Sequence, residues 1–360
     1  MRILFDIGHP ADVHFFKNII HLLQLNNHSI KICVRERENI TTQLLDLHNL
    51  DYELIGYNAK GIVKKAFILI KNDYMLYNIS KEFNPDIFVS LGSPYSAQVS
   101  KLLGKKSITY YDTDTANLII HLTMPFTDVM LTPFFFFKDL GPKQIRVKGY
   151  KELAYLHPRY FTPDPGILDI LGISQDEKYV ILRFSAFDAS HDVGVTGFSD
   201  DQKRELVRSF EKQLRVFISS EIPLPPDLAE YQIKIPIHKM HDAIYFAEML
   251  VGDSGTMTAE AGIIGTPAVV YHPMSIQINY LNELENKYGL VFNFTNATDA
   301  INMAKKLIEQ TDLKKIWQQK VDRMLQDKID ISAFFVWFIE NFPRSFDIMK
   351  EDPHFQKNFL

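Results

Sequence analysis

Short apolar runs that alternate with longer amphipathic stretches constrain the fold of this chain more than any other feature. Residues 2–7 form the first apolar run, and residues 13–25 follow with apolar residues recurring on one helical face. The alternation continues to residue 132, restarts near residue 178 and ends near residue 292. In this second half, residues 232–235 are predicted as a strand, and Ser199 and Gln202 have the spacing of a capping box before a predicted helix. Strands that alternate with helices in this way predict βαβ units, and therefore parallel sheets covered by helices on both faces.

The alternation pauses around residue 150, where prolines and glycines accumulate. A chain of 360 residues also exceeds the usual size of a single core. We therefore expect two doubly wound α/β domains, at residues 1–149 and 150–329, that face each other across a cleft. Residues 330–360 are expected to supply a helix that packs back across the domain junction. Ligands of such folds bind beyond the carboxyl ends of the strands, so site residues should directly follow strands.

Composition and charge exclude several classes of protein. The formal net charge of −5 argues against a general nucleic-acid binder, which normally carries a basic excess. Cys33 is the single cysteine, which excludes a disulfide within the chain and favours a reducing compartment. Asp6 and His9 come too early for a signal peptide, and no uncharged apolar run approaches the ~20 residues that span a bilayer. We predict a cytoplasmic protein that binds no nucleic acid.

The most informative stretch is 251–271 (VGDSGTMTAEAGIIGTPAVVY), in which a small-residue turn follows an apolar run and opens a helix. The free N–H groups of a first helical turn bind anions. Ser254 and Thr256 add hydroxyl donors, and Gly255 lets the backbone come close to a ligand. Glu260 lies one turn beyond Thr256 on the same face, where a carboxylate can accept hydrogen bonds from the hydroxyls of a sugar. The stretch therefore predicts a pyrophosphate site, with a capping Ser254 and a solvated Glu260 as the structural alternative.

Two further candidates end the first strand of the second domain. Arg183 suits a diphosphate because its guanidinium can bind two phosphate oxygens at once, and Ser185 follows at the strand end. A structural ion pair is the alternative for Arg183.

In the first domain, a glycine turn at Gly8 follows the first strand and opens a helix. His9, Asp12 and His14 are close enough in sequence to pair, and a histidine–carboxylate pair can deprotonate an acceptor hydroxyl near neutral pH. N-capping by Asp12, with His14 on the helix surface, is the alternative. His9 is the residue that we expect to act as the base.

Two later turns complete the first-domain candidates. Residues 92–96 (GSPYS) again join a strand to a helix, so Ser93 and Tyr95 are predicted to line a ligand-binding surface together with Gly8; the family resemblance given below implies that this is the acceptor side. Asp112 follows the next strand within Asp-Thr-Asp, the pattern with which GT-A glycosyltransferases bind a divalent metal. In the two-domain pattern found here we predict no metal site and no cofactor, and assign Asp112 an acid/base or acceptor-binding role.

The 251–271 stretch resembles the donor-binding signature of GT-B glycosyltransferases and of non-hydrolysing UDP-N-acetylglucosamine 2-epimerases. Nearly the whole chain also resembles a widespread bacterial and archaeal family that is known only as a domain of unknown function. The motifs that carry this second resemblance are DIGHPADVH (6–14), LGSPYS (91–96), GYKELAYLHP (149–158) and the 251–271 stretch.

The resemblance implies a GT-B-like fold of two Rossmann-like domains and a sugar nucleotide as ligand. It implies that the glycine turn holds the diphosphate and that Glu260 binds the ribose. The loop before the preceding helix cradles the nucleotide base in GT-B proteins, and His238 and Met240 occupy the matching place here.

These observations favour a glycosyltransferase that uses a sugar nucleotide, most simply a UDP-sugar, in surface polysaccharide or glycolipid synthesis. A sugar-nucleotide 2-epimerase and a non-catalytic nucleotide-sugar-binding subunit are the alternatives. The predicted acceptor is a saccharide or a lipid-linked sugar. Residues 60–77, which mix lysines with apolar residues, and the aromatic run 132–137 are candidates for peripheral contact with the inner membrane face. A core helix and a buried strand end are the structural alternatives for these two segments.

Overall fold

The computed structural model describes residues 1–36, 39–57, 62–113, 117–187, 196–273 and 279–360; for residues 57 and 62–70 only the secondary structure is described. The chain divides into two compact units. The first unit comprises Met1–Tyr155 and Lys328–Leu360, and the second comprises Leu156–Asp327.

The first unit is built on a parallel sheet of seven strands. The strand order is β3-β2-β1-β4-β5-β6-β7, so the chain winds outward in one direction from β1 and in the other direction from β4. β1 reads RILFDI, and its residues from position 3 onward are buried, as expected for a central strand covered on both faces. The strands are β1 (Arg2–Ile7), β2 (Ser29–Glu36), β3 (Glu53–Tyr57), β4 (Ile87–Leu91), β5 (Lys106–Tyr110), β6 (Val129–Pro133) and β7 (Gln144–Val147).

Within the described residues, six helices accompany these strands along the chain. α1 presents Phe15, Phe16 and Ile19 to the core at helical spacing. Pro10 occupies its first turn, where the missing N–H costs nothing. The helices are α1 (Pro10–Leu25), α2 (Ile40–Leu47), α3 (Ile62–Phe83), α4 (Pro94–Leu102), α5 (Asn117–Thr123) and α6 (Leu153–Leu156).

The second unit contains a parallel sheet of five strands in the order β12-β11-β10-β8-β9. The winding direction reverses between β8 and β10, which are direct neighbours. The strands are β8 (Tyr179–Phe184), β9 (Arg215–Ser220), β10 (Met249–Gly252), β11 (Ala268–Tyr271) and β12 (Val291–Phe294). The helices are α7 (Ile167–Leu171), α8 (Asp200–Phe210), α9 (Met240–Phe246), α10 (Gly255–Ile263), α11 (Asn279–Glu283), α12 (Ala297–Ile308) and α13 (Leu313–Leu325).

The last part of the chain returns to the first unit. α14 (Ile331–Glu340) packs on α1, with the rings of Phe335 and Phe15 in edge contact at 5.1 Å. Ser332 donates to the carbonyl of Ala154 at 2.8 Å. α15 (Arg344–Glu351) follows, and a 3-10 segment, Pro353–Phe359, completes the described chain.

The predicted fold class is confirmed, because both units are Rossmann-like α/β domains with parallel sheets. The capping box expected at Ser199 and Gln202 is present at the start of α8. The strand expected at 232–235 is wrong: Gln232 makes only an isolated bridge to Ile218, and Pro236 then interrupts the extended backbone. Of the helices that the structure describes, none is long and apolar enough to cross a membrane.

Candidate functional site

In each unit several of the predicted residues lie where the strand order reverses. In the first unit, residues 8–12 follow β1 and Ser93 follows β4, and these two strands are neighbours. In the second unit, Ser185 follows β8 and Ser254 follows β10. Such switch points are the usual ligand sites of open α/β sheets, so each unit carries one candidate site.

The second-unit site centres on the first turn of α10. Ser254 is the N-cap residue with an extended backbone, but its hydroxyl makes no hydrogen bond to the first turn. Ser254, Gly255 and Thr256 are half-buried, whereas the rest of the helix is buried. The Ser254 hydroxyl therefore does not bond to the first turn, and its contact with a pyrophosphate stays a prediction. The first turn keeps its N–H donors at a partly exposed surface, as anion binding requires.

Two glycines let other groups approach this turn closely. A Cβ atom on Gly252 would lie 2.3 Å from the carbonyl oxygen of Arg183, so the β8–β10 contact requires glycine there. A Cβ atom on Gly255 would lie 2.7 Å from the hydroxyl oxygen of Tyr280. Tyr280, in α11, therefore places its hydroxyl beside the start of α10, although no motif in the sequence points to this residue.

Glu260 lies further along α10 and is paired with a histidine of the preceding helix. Its Oε1 atom is 3.2 Å from Nε2 of His241, and the two side chains are only 8% and 9% exposed. The alternative of a solvated Glu260 is therefore wrong. The ring of His241 in turn meets Phe161 edge-on at 6.3 Å. A carboxylate held in this way has few rotamers and keeps a fixed direction for accepting hydrogen bonds.

Arg183 contacts side chains at the end of the neighbouring strand β9 and directly after it. Its guanidinium donates to Ser219 Oγ at 2.8 Å and forms an ion pair with Glu221. The other oxygen of Glu221 accepts from the N–H of Ala186 at 3.0 Å. The guanidinium thus makes a structural ion pair, which was the alternative to diphosphate binding in the sequence analysis. A diphosphate contact from Arg183 stays a prediction.

Ser185 contributes its backbone to the site through Asp253. Asp253 Oδ1 accepts from the N–H of Ser185 at 2.7 Å, and Oδ2 accepts from the N–H of Phe198 at 3.2 Å. Burial raises the pKa of Asp253 to about 6, although these two N–H donors oppose the shift. The carboxylate therefore joins the turn after β10 to the chain after β8 and to the chain before α8.

The residues predicted to face the nucleotide base lie on a short 3-10 turn before α9. His238 belongs to this turn and Met240 begins α9; both are half-buried. Lys239 between them forms ion pairs with Asp164 at 2.6 Å and with Asp242 at 3.5 Å. The turn is therefore fixed to the rest of the second unit by charge pairs on both of its sides.

In the first-unit site, Asp12 organises the turn after β1. Its Oδ2 atom accepts from the N–H groups of Gly8 at 2.8 Å and His9 at 3.0 Å. His9 is exposed and is the N-cap of α1, with Nδ1 accepting from the N–H of Ala11 at 3.2 Å. Burial raises the pKa of Asp12 to about 7, and the N–H of Gly8 and the charge of Arg35 limit the rise. Asp12 therefore changes its charge near neutral pH.

A buried ion pair lies beneath this turn. Arg35 of β2 binds Asp6 of β1, and the hydroxyl of Ser93 donates to the other oxygen of Asp6. The ring of Tyr95 lies 4.4 Å from the guanidinium carbon of Arg35, and a Cβ atom on Gly8 would lie 2.6 Å from its Nη2. The three residues predicted on the acceptor side therefore adjoin the Asp6–Arg35 pair: Ser93 at Asp6, and Gly8 and Tyr95 at Arg35. Charged residues inside two apolar strands were the signal that could have identified Asp6 and Arg35.

The remaining two catalytic candidates lie apart from this cluster of contacts. His14 has ring contacts with Tyr155 at 5.4 Å and His48 at 6.5 Å. Asp112 forms an ion pair with Lys151 at 2.6 Å. Burial alone would raise the pKa of Asp112, but the charge and hydrogen bond of Lys151 lower it overall, so the carboxylate is ionised. Asp114, the second carboxylate of the Asp-Thr-Asp pattern, lies outside the described residues.

The model of one protein family matches residues 1–336 of this chain. The chain belongs to the DUF354 family. That family is described as proteins of unknown function. An uncharacterised protein of Methanocaldococcus jannaschii is 21% identical over 287 residues, which cover 75% of this chain and 82% of that protein.

Solved structures give the fold of this DUF354 protein. A UDP-GlcNAc 2-epimerase from Neisseria meningitidis, solved with UDP-GlcNAc bound, superposes with a TM-score of 0.66 at 15% identity over 94% of this chain and 100% of that chain. The glycosyltransferase SsfS6 from Streptomyces superposes with a TM-score of 0.60 at 12% identity over 95% and 100%. The DUF354 chain therefore has the GT-B fold that is shared by glycosyltransferases and these epimerases.

In the part of the chain that the structure describes, no group of three or more His, Cys, Asp or Glu side chains could hold a metal ion. The candidate site of the second unit instead has helix N–H donors and the Glu260–His241 pair, and the candidate site of the first unit has the Asp6–Arg35 pair. This donor set suits an anionic, hydroxyl-rich ligand.

Proposed function

We propose that this DUF354 protein is a GT-B-type glycosyltransferase that takes a sugar nucleotide, with UDP as the nucleotide, as its donor. The acceptor is a saccharide or a lipid-linked sugar for surface polysaccharide or glycolipid, reached from the cytoplasm at the inner face of the membrane. The observation that carries the proposal is the buried Glu260–His241 pair behind the partly exposed first turn of α10.

The spacing within α10 supports a nucleoside diphosphate as the ligand. Gly255 and Glu260 are five residues apart, which is about 7.5 Å along a helix, and the glutamate side chain points back toward the N-terminus. A diphosphate at the first turn then brings the ribose hydroxyls within reach of the carboxylate. Ser254, Thr256 and Tyr280 would supply hydroxyl donors to the phosphate oxygens, and His238 and Met240 would face the base.

Ion pairs hold two of the first-unit carboxylates, which favours transfer over epimerisation, whereas Asp12, whose pKa burial raises to about 7, is able to exchange a proton. Epimerisation at the second carbon of a sugar needs carboxylates that are poised to exchange protons with it. Asp6 is bound by Arg35 and Ser93, and Asp112 is held ionised by Lys151. Epimerase remains the second candidate because the epimerase bound to UDP-GlcNAc superposes about as well as the glycosyltransferase does.

His9 is the proposed base for the acceptor hydroxyl. In the structure its Nδ1 accepts from Ala11, so the neutral ring carries its proton on Nε2. To accept a proton at Nε2 the ring must move its own proton to Nδ1 and release the cap, a loss of about 1 kcal/mol. The acceptor's hydrogen bond to Nε2 offsets this loss. While the ring of His9 moves, Asp12 holds the backbone of the turn in place by accepting from the N–H groups of Gly8 and His9.

A ligand screen followed by product analysis tests the proposal. The protein is heated with UDP, GDP, CMP and ADP and with their sugar conjugates; a ligand at about 100-fold its Kd stabilises by about 2.7 kcal/mol. With the ligand that binds, release of free nucleoside diphosphate only when acceptor is present supports transfer. A changed sugar nucleotide without acceptor would establish the epimerase, and binding without turnover would establish a non-catalytic subunit.

A further inference from the structure

One edge of the first unit exposes large apolar side chains from three neighbouring segments. Leu118 of α5 is 70% exposed, Phe126 in the following turn is 38% exposed, and Phe134 and Phe137 after β6 are 60% and 74% exposed. We call these four residues the α5–β6 surface. Lys138 donates to Asn117, so the segment that carries Phe137 adjoins the segment that carries Leu118.

Polar groups beneath the surface hold its two turns in place. Arg146 donates to the carbonyls of Phe136 and Lys138, the latter at 3.1 Å. Lys143 donates to the carbonyls of Met124 at 3.0 Å and Thr127 at 2.7 Å. Between the exposed rings, Phe136 is 1% exposed and belongs to a small core cluster. The exposed side chains therefore stand on an ordered support.

The charge of this edge is opposite to that of the whole chain. Residues 117–148 contain four Lys or Arg and two Asp, whereas the full chain has a formal charge of −5. One of the two, Asp128, already pairs with Lys106. Lys143 and Arg146 bind carbonyl oxygens, which satisfy their N–H groups without cancelling their charges. Exposed apolar side chains above a cationic base match an anionic lipid bilayer, which offers hydrocarbon below a layer of negative headgroups.

We propose that the α5–β6 surface docks the protein onto the anionic face of a lipid bilayer. The proposal rests on the proposed function, because docking would give the protein access to a lipid-linked acceptor. It also specifies which residues of the aromatic run 132–137 make the membrane contact that the sequence predicts. Thr132 and Pro133 are buried, so only Phe134 and Phe137 carry that contact, together with Leu118 and Phe126 from outside the run. The side chains of residues 60–70 lie outside the described residues.

Vesicle flotation tests this surface. The full chain is mixed with vesicles of phosphatidylcholine alone, or of phosphatidylcholine and phosphatidylglycerol in equal amounts. We expect binding to the anionic vesicles, and weaker binding to the neutral ones. The double variant Phe134→Ser, Phe137→Ser should lose about tenfold or more in partitioning, because two aromatic rings no longer enter the bilayer. The matched control is Leu102→Ser, which removes a leucine that is 73% exposed elsewhere in the first unit.

Two outcomes overturn the proposal. One is wild-type protein that ignores anionic vesicles, and the other is a double variant that binds them as the wild type does. If light scattering shows that the wild-type protein is a dimer and the double variant a monomer, the surface binds a second copy, and the lipid proposal is likewise overturned. UDP affinity is measured on the same proteins without vesicles. Wild-type protein that binds UDP but ignores anionic vesicles overturns the docking proposal alone, whereas wild-type protein that binds no UDP overturns the proposed function.

Discussion

The imidazole Nε2 of His241 lies 3.2 Å from Oε1 of Glu260, and each side chain is less than a tenth exposed. The two residues come from consecutive helices, α9 and α10. The histidine therefore orients the carboxylate of Glu260. This relationship links the helix that follows the predicted base-binding turn to the helix that is predicted to hold the diphosphate.

The first prediction concerns Glu260. We expect Glu260→Ala to weaken UDP binding by about 1.5–3 kcal/mol, because hydrogen bonds to a charged group are lost. The loss should largely disappear for 2′,3′-dideoxy-UDP, which lacks the hydroxyls that Glu260 binds. Isothermal titration calorimetry with both nucleotides measures the difference, and Glu309→Ala, at an exposed position of the same unit, is the control. Equal losses for the two nucleotides would remove Glu260 from the ribose.

The second prediction separates the two possible roles of His9. Asparagine is among the best N-cap residues, so His9→Asn keeps the cap and removes the titrating ring, whereas His9→Ala removes both. We expect turnover to fall by about 10²–10⁴ in both variants. Only His9→Ala should also lose about 1 kcal/mol of unfolding free energy. UDP affinity should change by less than a few-fold in both.

Turnover with the acceptor, urea unfolding and calorimetry supply the three readouts for His9. If the His9→Asn variant turns over as fast as the wild type, His9 serves only as the helix cap. Asp12 would then become the better candidate for the base.

The third prediction is a pH dependence from Asp12. Its pKa rises from 3.8 to about 7 on folding, mainly through burial, with Arg35 opposing and Asp6 assisting the rise. Between these two values the folded state binds more protons than the unfolded state, so this group's contribution to stability falls as pH rises. One pKa unit corresponds to about 1.4 kcal/mol. Asp12→Asn should therefore gain stability relative to the wild type from pH 5 to pH 8, as urea unfolding measures. A gap between the two proteins that stays constant with pH would contradict this assignment.

The fourth prediction concerns Lys314 of α13, whose ammonium donates to Thr266 Oγ1 at 3.0 Å and to the carbonyl of Tyr245. Burial lowers its pKa from 10.5 to about 7. Between these values the unfolded state binds the extra proton, so stability rises with pH through this window. We expect the rise between pH 7 and pH 9 to shrink in Lys314→Met and to persist in Lys315→Met, an exposed neighbour. The same slope in all three proteins would show that Lys314 keeps its charge when folded.

The fold was readable from the sequence because its signals are local. Apolar runs and helical faces repeat within each βα unit, and the capping box at Ser199 and Gln202 spans only four residues. The strand expected at 232–235 was wrong because an apolar pattern does not reveal a missing pairing partner. Only one bridge, between Gln232 and Ile218, forms there.

The site was only partly readable, because its residues meet through tertiary contacts. Residues on the turns after strands were found, since their place follows from the alternation. The pairing of Glu260 with His241, and the approach of Tyr280 to Gly255, depend on how separate helices pack. The Asp6–Arg35 pair was likewise hidden, because strand register decides which charged residues meet.

The first unit is discontinuous, since Lys328–Leu360 returns to Met1–Tyr155 after the whole second unit. A ribosome therefore completes Leu156–Asp327 before it delivers the helix that covers Phe15. During that interval the second unit has all of its strands, while the first unit still presents the α1 face that α14 later buries. The nascent first unit is consequently the part that chaperones would have to shield. Truncation before residue 328 would leave it in that state permanently.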